Sequence, residues 1–387
     1  MGAHYHQTSN DPGRRSRRRR RRNSNLPAII TAIVIVAVIV AIMAFACSGS
    51  GGGTSASSAS SDDGNSDVSV EMEEDASTTI TVSVAGDCTL GTDEYFDYSS
   101  SFNAMYESVA DPSYFFANVS DIFSADDLTV VNMEGVLTES TSRSDKEYAF
   151  KGDAEYAQVL VEGDVEAASM ANNHSHDYGD ESYTDTIETL EAAGISTFGY
   201  DEIAYMDVEG VNVALIGTYE LAEGIGIQEE MEENIAAAQE AGAQVIIVYF
   251  HWGTERETVP DETQVELAHA AVDAGADLVV GSHPHVIQGY EQYNGKYIVY
   301  SLGNFCFGGN SNPSDKDCMI IQQEFTVTGD DVEIGELTVI PCSVSSTSDS
   351  NDYQPTPAEG DEADRINAKI EESNEAIEEL SAQVEGE

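Results

Sequence analysis

Five short polar clusters in this chain each follow an apolar stretch, and together they hold the residue types that bind divalent metals. Asp87 ends Val84-Ala85-Gly86-Asp87, and Glu134 lies in Asn132-Met133-Glu134-Gly135. Asn172, Asn173 and His174 follow Met170-Ala171, with His176 and Asp177 just beyond. His251 closes Tyr249-Phe250-His251, and His283 and His285 flank Pro284 in Gly281-Ser282-His283-Pro284-His285. Imidazoles, carboxylates and a carboxamide oxygen suit Zn, Mn, Fe or Mg with no thiolate. Two such ions bridged by a carboxylate clamp a phosphate and lower the pKa of water, and a nearby imidazole can protonate a leaving oxygen. Taken singly, each residue has an ordinary role. Asp87 suits a turn, Glu134 a solvated position, Asn172 and Asn173 a cap, and His251 a satisfied core site. The signal is their joint occurrence after apolar stretches, with the stiff His-Pro-His turn the hardest to dismiss.

For these groups to meet, the stretches before them must be strands ending on one edge. Residues 79–85 put Ile80, Val82 and Val84 on one face, the two-residue period of a strand. Residues 128–132, 165–170, 211–216, 244–250, 277–280 and 297–301 read as further strands. Helical spacing recurs in Tyr183, Ile187 and Leu190, in the Ala/Glu-rich residues 228–241, and in residues 260–274, with Pro260 in the first turn. This alternation predicts an α/β fold with a largely parallel or mixed sheet, whose ligand crevice lies outside the carboxyl ends of the strands. Residues 319–327 and 332–340 predict a late antiparallel pair turning at Gly329-Asp330-Asp331. Ile366, Ile370, Ile377, Leu380 and Val384 form one stripe of a C-terminal helix docked on the domain, with a coiled coil as the alternative. His269 is assigned to packing, and Trp252, beside His251, to the cleft wall.

Charge is divided unevenly. The 387 residues carry 16 Lys+Arg against 71 Asp+Glu, a net of −55. Eight of the bases are Arg14, Arg15 and Arg17 through Arg22, so from Ser48 onward eight bases face 70 acids, a net of −62. Such a surface repels phosphate backbones and excludes a nucleic-acid partner; it reads foremost as solubilising. Residues 26–47 are an uncharged apolar run of 22 residues, about 33 Å long as a helix, enough to cross a bilayer. The arginines before it keep the N-terminus cytoplasmic, which predicts a single-pass cell-membrane protein with an extracellular C-terminal domain. A cleaved signal peptide is the alternative, although its apolar core runs only about 7–15 residues. A lipidated Cys47 is another, although Ala44-Phe45-Ala46-Cys47 fits the lipoprotein box poorly. The organisation is then a cytoplasmic tail (1–25), a transmembrane helix (26–47), a Ser/Gly/acidic linker (48–77), the main domain (78–343), a polar connection (344–361) and the C-terminal helix (362–384). Cys88, Cys306, Cys318 and Cys342 lie in the exported part, where oxidation is permitted. Cys306 and Cys318, flanking a Gly/Asn/Ser-rich loop, are a pairing left open.

The ordered motifs Gly86-Asp87, Asn132-Met133-Glu134-Gly135, Ala171-Asn172-Asn173-His174 with Asp177-Tyr178-Gly179, His251-Trp252-Gly253-Thr254-Glu255, Gly281-Ser282-His283-Pro284-His285 and Tyr300-Ser301-Leu302-Gly303-Asn304-Phe305 resemble those of the bacterial capsule-synthesis (CapA, or poly-γ-glutamate biosynthesis) family. The resemblance covers roughly residues 79–343. That family is in turn similar to the calcineurin-type metallophosphoesterases, which implies an α/β/β/α sandwich and one or two divalent ions. Carried over residue by residue, it implies Asp87, Glu134, Asn173, His251, His283 and His285 as metal ligands, with Glu134 as the bridge. It implies His174 and Asp177 as catalytic residues. Lys151, Asn172, Arg256 and Asn304 are the residues expected to meet substrate. Three positions depart from the pattern: Thr89 stands where the first motif has a histidine, Glu134 where it has an aspartate, and Ser282 displaces a glycine by one place.

What the resemblance implies about function is a metal-dependent hydrolase or transferase serving capsular poly-γ-glutamate or a similar envelope polymer. The alternative is a non-catalytic accessory subunit of a membrane polymer synthase, and behind it a binding protein with a degraded site. Expected partners are the membrane, synthase subunits and an anionic polymer, although the acidity of the domain opposes the last of these.

Overall fold

The computed structural model describes residues 76–386. The Arg-rich tail, the apolar run 26–47, Cys47 and nearly all of the linker lie outside the described residues. Among the described residues, no helix is long and apolar enough to cross a membrane.

The apolar stretches pair into two large mixed sheets. In the first, Thr78–Thr89 is central. It runs parallel to Leu128–Met133, followed by Ala167–Ser169 and Ser196–Phe198, and antiparallel to Asp317–Thr328, followed by Thr338–Ser343. In the second, Val211–Tyr219, Val245–His251, Leu278–Ser282 and Lys296–Leu302 are parallel, and Ala204–Val208 and Ile287–Tyr293 form antiparallel edges. Every residue of Val245–His251 is buried. A strand covered on both faces has no polar side to show, so it reads as one apolar run.

The layering follows from which side chains share a core. Ile80, Val82 and Leu128 of the first sheet pack with Val213, Ile247 and Leu278 of the second, so the two sheets face one another. The opposite face of the first sheet is covered by Phe115, Phe116, Leu160 and Leu190, and that of the second by Met231 and Ile235 with Val265 and Ala268. The last four come from the helices Gln228–Glu240 and Glu262–Ala274. The result is a mixed α/β fold with helices outside and sheets within.

Several elements differ from the sequence reading, each for a local reason. The first strand continues past residue 85 to Thr89 because both neighbours follow it, pairing Asp87 with Asn132 and with Asn304. The helix expected to contain Pro260 begins at Glu262, because Asp261 and Gln264 form a reciprocal capping box. The single strand expected at 332–340 is two, Asp331–Ile334 and Thr338–Ser343, separated at Gly335 and both paired with Asp317–Thr328. Trp252 is fully buried, stacked 4.2 Å from Phe250 with its indole N–H donating to Tyr300 O, so it belongs to the core and not to the cleft wall. The cysteines Cys88, Cys306, Cys318 and Cys342 are buried and unpaired, so no Cys306–Cys318 bridge is formed.

The C-terminal helix spans Asp361–Val384 and buries Ile366, Ile370 and Ile377. It covers the edge strand Ile287–Tyr293 with polar anchors as well as apolar ones. Gly289 N donates to Ser373 Oγ (2.8 Å), Tyr290 N to Asn374 Oδ1 (2.7 Å), and Ser381 Oγ to Glu291 Oε2 (2.7 Å). The first two bonds satisfy backbone N–H groups that an open edge would leave bare.

Candidate metal centre

The carboxyl ends of strands from both sheets meet at one place. Asp87 is carried there because Gly86 permits a close approach: a Cβ at Gly86 would lie 1.9 Å from Gly303 O, and Asp87 N donates to that carbonyl (3.2 Å). Glu134 follows Leu128–Met133 directly, with its N–H on Cys88 O (3.0 Å) and the chain turning at Gly135 (φ 128°). Asn173 and His174 follow Ala167–Ser169, on a loop that Asn172 Oδ1 holds by accepting from His174 N (3.0 Å). The second sheet supplies His251 at the end of Val245–His251, and His283 and His285 just past Leu278–Ser282. Both His283 (φ 98°) and His285 (φ 56°) have positive φ, a costly conformation for histidine that the surrounding contacts sustain. Tyr249 ties the two sheets at this end, with its hydroxyl on Ala85 O and Ser282 Oγ, each at 2.8 Å.

Glu134 sits at the middle of the cluster. Its Oε1 lies 3.7 Å from His285 Nε2, 3.8 Å from His251 Nε2 and 3.9 Å from His174 Nε2. These distances are too long for hydrogen bonds, and Oε1 is buried with no hydrogen-bond partner among the described residues. A buried carboxylate oxygen left bare among imidazoles is costly unless something positive joins it. Two sets of donor atoms share this carboxylate, Glu134 with His251 and His283, and Glu134 with Asp87 and His285; within each set the donors lie within 4.8 Å of one another. Asn173 Oδ1 joins the first set, 2.9 Å from His251 Nε2. Thr89 belongs to the second by position but only donates weakly to Glu134 Oε2 (3.5 Å), so that set lacks a further nitrogen ligand. The donor chemistry fits a hard or borderline divalent ion.

Electrostatics separate the imidazoles. Burial, with the charge of His285, pushes His283 down to about 4 and His251 well below the usual range, so both are neutral at pH 7. Burial also opposes charge on His285, but Glu134 and Asp87 outweigh it and raise His285 to about 10. Glu134 is pushed up to about 8, mainly by burial, with Asp87 and Asp177 adding repulsion. Asp87 stays below the usual carboxylate range because His285 and the Asn132 amide outweigh its burial.

The sequence-derived residues fall into four groups. Asp87, Glu134, Asn173, His251, His283 and His285 are brought together as described. His174 and Asp177 form a pair, Nδ1 to Oδ2 at 2.7 Å, leaving His174 Nε2 turned toward Glu134. Asn304 accepts at Oδ1 from His285 Nδ1 (2.9 Å) and lines the cleft, and Arg256 also lines the cleft. The other two are elsewhere. Asn172 is almost fully buried and spends its amide on Asn132 Oδ1, Met133 O and the His174 loop, and it is not among the residues that line the cleft. Lys151 donates to Ser140 O (3.0 Å) and lies 4.7 Å over the Tyr178 ring, outside the residues that line the cleft.

Two residues escaped the sequence reading. Asn132 Nδ2 donates to Asp87 Oδ1 (2.7 Å) and faces His251 Nδ1 (3.2 Å), linking groups from both sheets. Its signal was available: Asn132 is a polar residue within the apolar run Leu128–Met133, two residues before Glu134. Lys146 Nζ donates to Asp177 Oδ1 (2.7 Å) and Asn173 O (2.8 Å), bracing the His174 pair from a patternless polar stretch. Beyond these groups opens a cleft of about 550 Å³, with His174 and His285 at its inner end.

A family model described as "Bacterial capsule synthesis protein PGA_cap" matches residues 81–309, more than half of the chain. The chain is 31% identical over 250 residues to the PGA biosynthesis protein CapA of Bacillus subtilis, covering 59% of this chain and 64% of that one. It is 31% identical over 261 residues to the capsule biosynthesis protein CapA of Bacillus anthracis, covering 61% and 62% respectively. Both matches span less than two thirds of the relative. Among solved structures, one titled as a novel phosphatase from Mycoplasma pneumoniae superposes at 12% identity with a TM-score of 0.43, over 69% of this chain and 94% of its own, too loosely to carry an argument.

Proposed function

We propose, from the premise that this chain belongs to the bacterial capsule synthesis protein family, that it serves the synthesis or anchoring of poly-γ-glutamate or a similar envelope polymer. In this reading it works outside the cell, held by the apolar run 26–47, as a metal-dependent hydrolase or transferase with a metallophosphoesterase-like sandwich. The observation that carries the reading is the bare Glu134 Oε1 among three imidazoles.

Glu134, His251, His283 and Asn173 would hold one divalent ion, and Glu134, Asp87 and His285 a second, weaker one. Such ions supply Lewis acidity toward a phosphoryl or acyl oxygen. The remaining work falls to the chain itself. Asp177 fixes the His174 ring through Nδ1, and Lys146 fixes Asp177, so His174 Nε2 is the atom placed to hand a proton to a leaving oxygen. Burial holds His174 below the usual range, against the pull of Asp177, so a proton on it is readily given up. Arg256 supplies positive charge at the cleft for an anionic group.

The test is metal content of the purified full-length protein together with hydrolysis of a chromogenic phosphodiester, comparing wild type, His174→Ala and His283→Ala. Bound metal in wild type and His174→Ala, with hydrolysis only in wild type, is the expected result. Metal bound by wild type without hydrolysis would replace this reading with the accessory one, which Thr89 favours by leaving one ligand set short of a nitrogen. Absence of metal from wild type would leave a binding protein.

A further inference from the structure

The cleft outside the metal-ligand groups has a chemistry of its own. Tyr95 and Tyr148 are among the exposed large side chains, at 74% and 46%, and both line the cleft. Tyr95 is not loose: the Arg143 guanidinium lies 4.6 Å over its ring, and Arg143 is itself locked by Asp93 (2.7 Å) and by the carbonyls of Ser144, Lys146 and Glu147. One face is thus braced while most of the side chain stays in solvent. Tyr148 stacks at 6° to Phe150 and meets Phe96 edge-on. Phe150 in turn lies 4.5 Å from the His174 ring, and Phe307 5.3 Å from the His285 ring. A continuous aromatic wall therefore leads from the rim to the two innermost imidazoles.

Charge narrows what that wall can hold. Asp97, Glu255 and Asp315 line the same cleft, and Arg256 is the guanidinium among its lining residues, outside the imidazoles of His174 and His285. Among the described residues, the side chain of Arg256 makes no ion pair, whereas Arg143, Lys146, Lys296, Arg365 and Lys369 are each paired with a carboxylate. Arg256 is held at φ 68° by its N–H on Pro284 O (2.8 Å), within the turn that carries His283 and His285. Asp315 is paired with Lys369, and the charged His285 with Asp87, so a polymer with a carboxylate on every unit would meet Asp97 and Glu255 uncompensated against Arg256. A sugar ring has an apolar C–H face to lay on an aromatic and hydroxyls to donate to carboxylates and amides, which is what the wall and its acids offer.

We propose that the outer cleft is a carbohydrate subsite, taking a pyranose unit of an envelope glycan whose single anionic linkage reaches Arg256 and the imidazoles beyond. The ring-binding half stands by itself; only the placement of the anionic linkage rests on the hydrolase or transferase reading above.

Full-length protein in detergent, stripped with chelator, is titrated calorimetrically with an N-acetylglucosamine tetramer, a glucose tetramer, a poly-γ-glutamate oligomer and the methyl phosphodiester of glucose 1-phosphate. At least one neutral tetramer binds, and Tyr95→Ala and Tyr148→Ala each weaken it by about three- to tenfold, while Tyr95→Phe retains it. Arg256→Gln weakens the phosphodiester and leaves the tetramer unchanged. No tetramer binding up to about 10 mM, equal affinity in the alanine variants, or stronger binding of poly-γ-glutamate than of either tetramer would overturn the proposal. Hydrolysis of the chromogenic phosphodiester by metal-loaded protein is scored separately. Turnover without tetramer binding sinks the subsite alone, and tetramer binding without turnover sinks the catalytic reading alone.

Discussion

Metal affinity should fall steeply with acidity, because the ligand set holds protons that a cation must expel. Glu134, pushed up to about 8 by burial and by Asp87 and Asp177, is largely protonated at pH 7 in the metal-free chain. A cation needs its carboxylate, so each pH unit below 8 costs one factor of ten, about 1.4 kcal/mol. His285, raised to about 10 against its burial by Glu134 and Asp87, titrates together with Glu134, so the two share one count. His251 and His283 are already neutral there and add nothing to the slope. Between pH 8 and pH 6 the affinity should therefore drop about 100-fold for the one proton counted. Competition against a chromophoric chelator of known pH dependence measures the slope. Calorimetry in two buffers of different ionisation enthalpy counts the protons released. An affinity flat from pH 6 to pH 8, with no proton release, would refute the reasoning, since the free ligand set would then hold no proton for a cation to expel.

Three further outcomes follow from particular contacts. Asn132→Leu removes the donor shared by Asp87 and His251; it should cost about 1–3 kcal/mol in urea unfolding and weaken metal binding about 10- to 100-fold, measured by the same chelator competition. Gly86→Ala drives a Cβ onto a carbonyl oxygen that cannot yield, so a loss of about 3 kcal/mol or more is expected in urea unfolding, together with a looser ligand set. Glu166 is raised to about 7 by burial and by the neighbouring acids Asp126 and Asp164, and Asp126 to about 6 by burial and by Asp127 and Asp164. Carboxylates whose pKa is higher folded than unfolded destabilise the fold when ionised, so these two add stability as the pH falls from 8 to 5, opposed below about 6.5 by the buried His174, His251 and His283, whose pKa values are lowered. Glu166→Gln should remove a part of that rise on the order of 1 kcal/mol, discounted for solvent screening, and a melting-temperature series identical in the two proteins would contradict the assignment.

Short-range pattern was enough for much of the frame. Strand periodicity located Thr78–Thr89, Leu128–Met133 and Val245–His251 to within a few residues, because a buried strand must be apolar on its covered faces. The same logic flagged Asp87, Glu134 and His251, since a polar residue directly after such a run has no packing reason to be there. Element ends were less legible. The break at Gly335 and the helix start at Glu262 depend on hydrogen bonds whose partners local apolar pattern does not rank.

The sequence alone determined the donor types and the strand ends they would occupy, because those follow from side-chain chemistry and a two-residue period. Tertiary structure decided everything that depends on distance between remote segments. It set Glu134 Oε1 bare among three imidazoles, assigned Asn172 to scaffolding and Lys151 to the Tyr178 face, and drew Lys146 in behind Asp177. It also assembled the aromatic wall from residues far apart in the chain, with Phe307 contacting Phe150. Contacts of that kind arise when two sheets close on a shared core, and a one-dimensional pattern carries no measure of them.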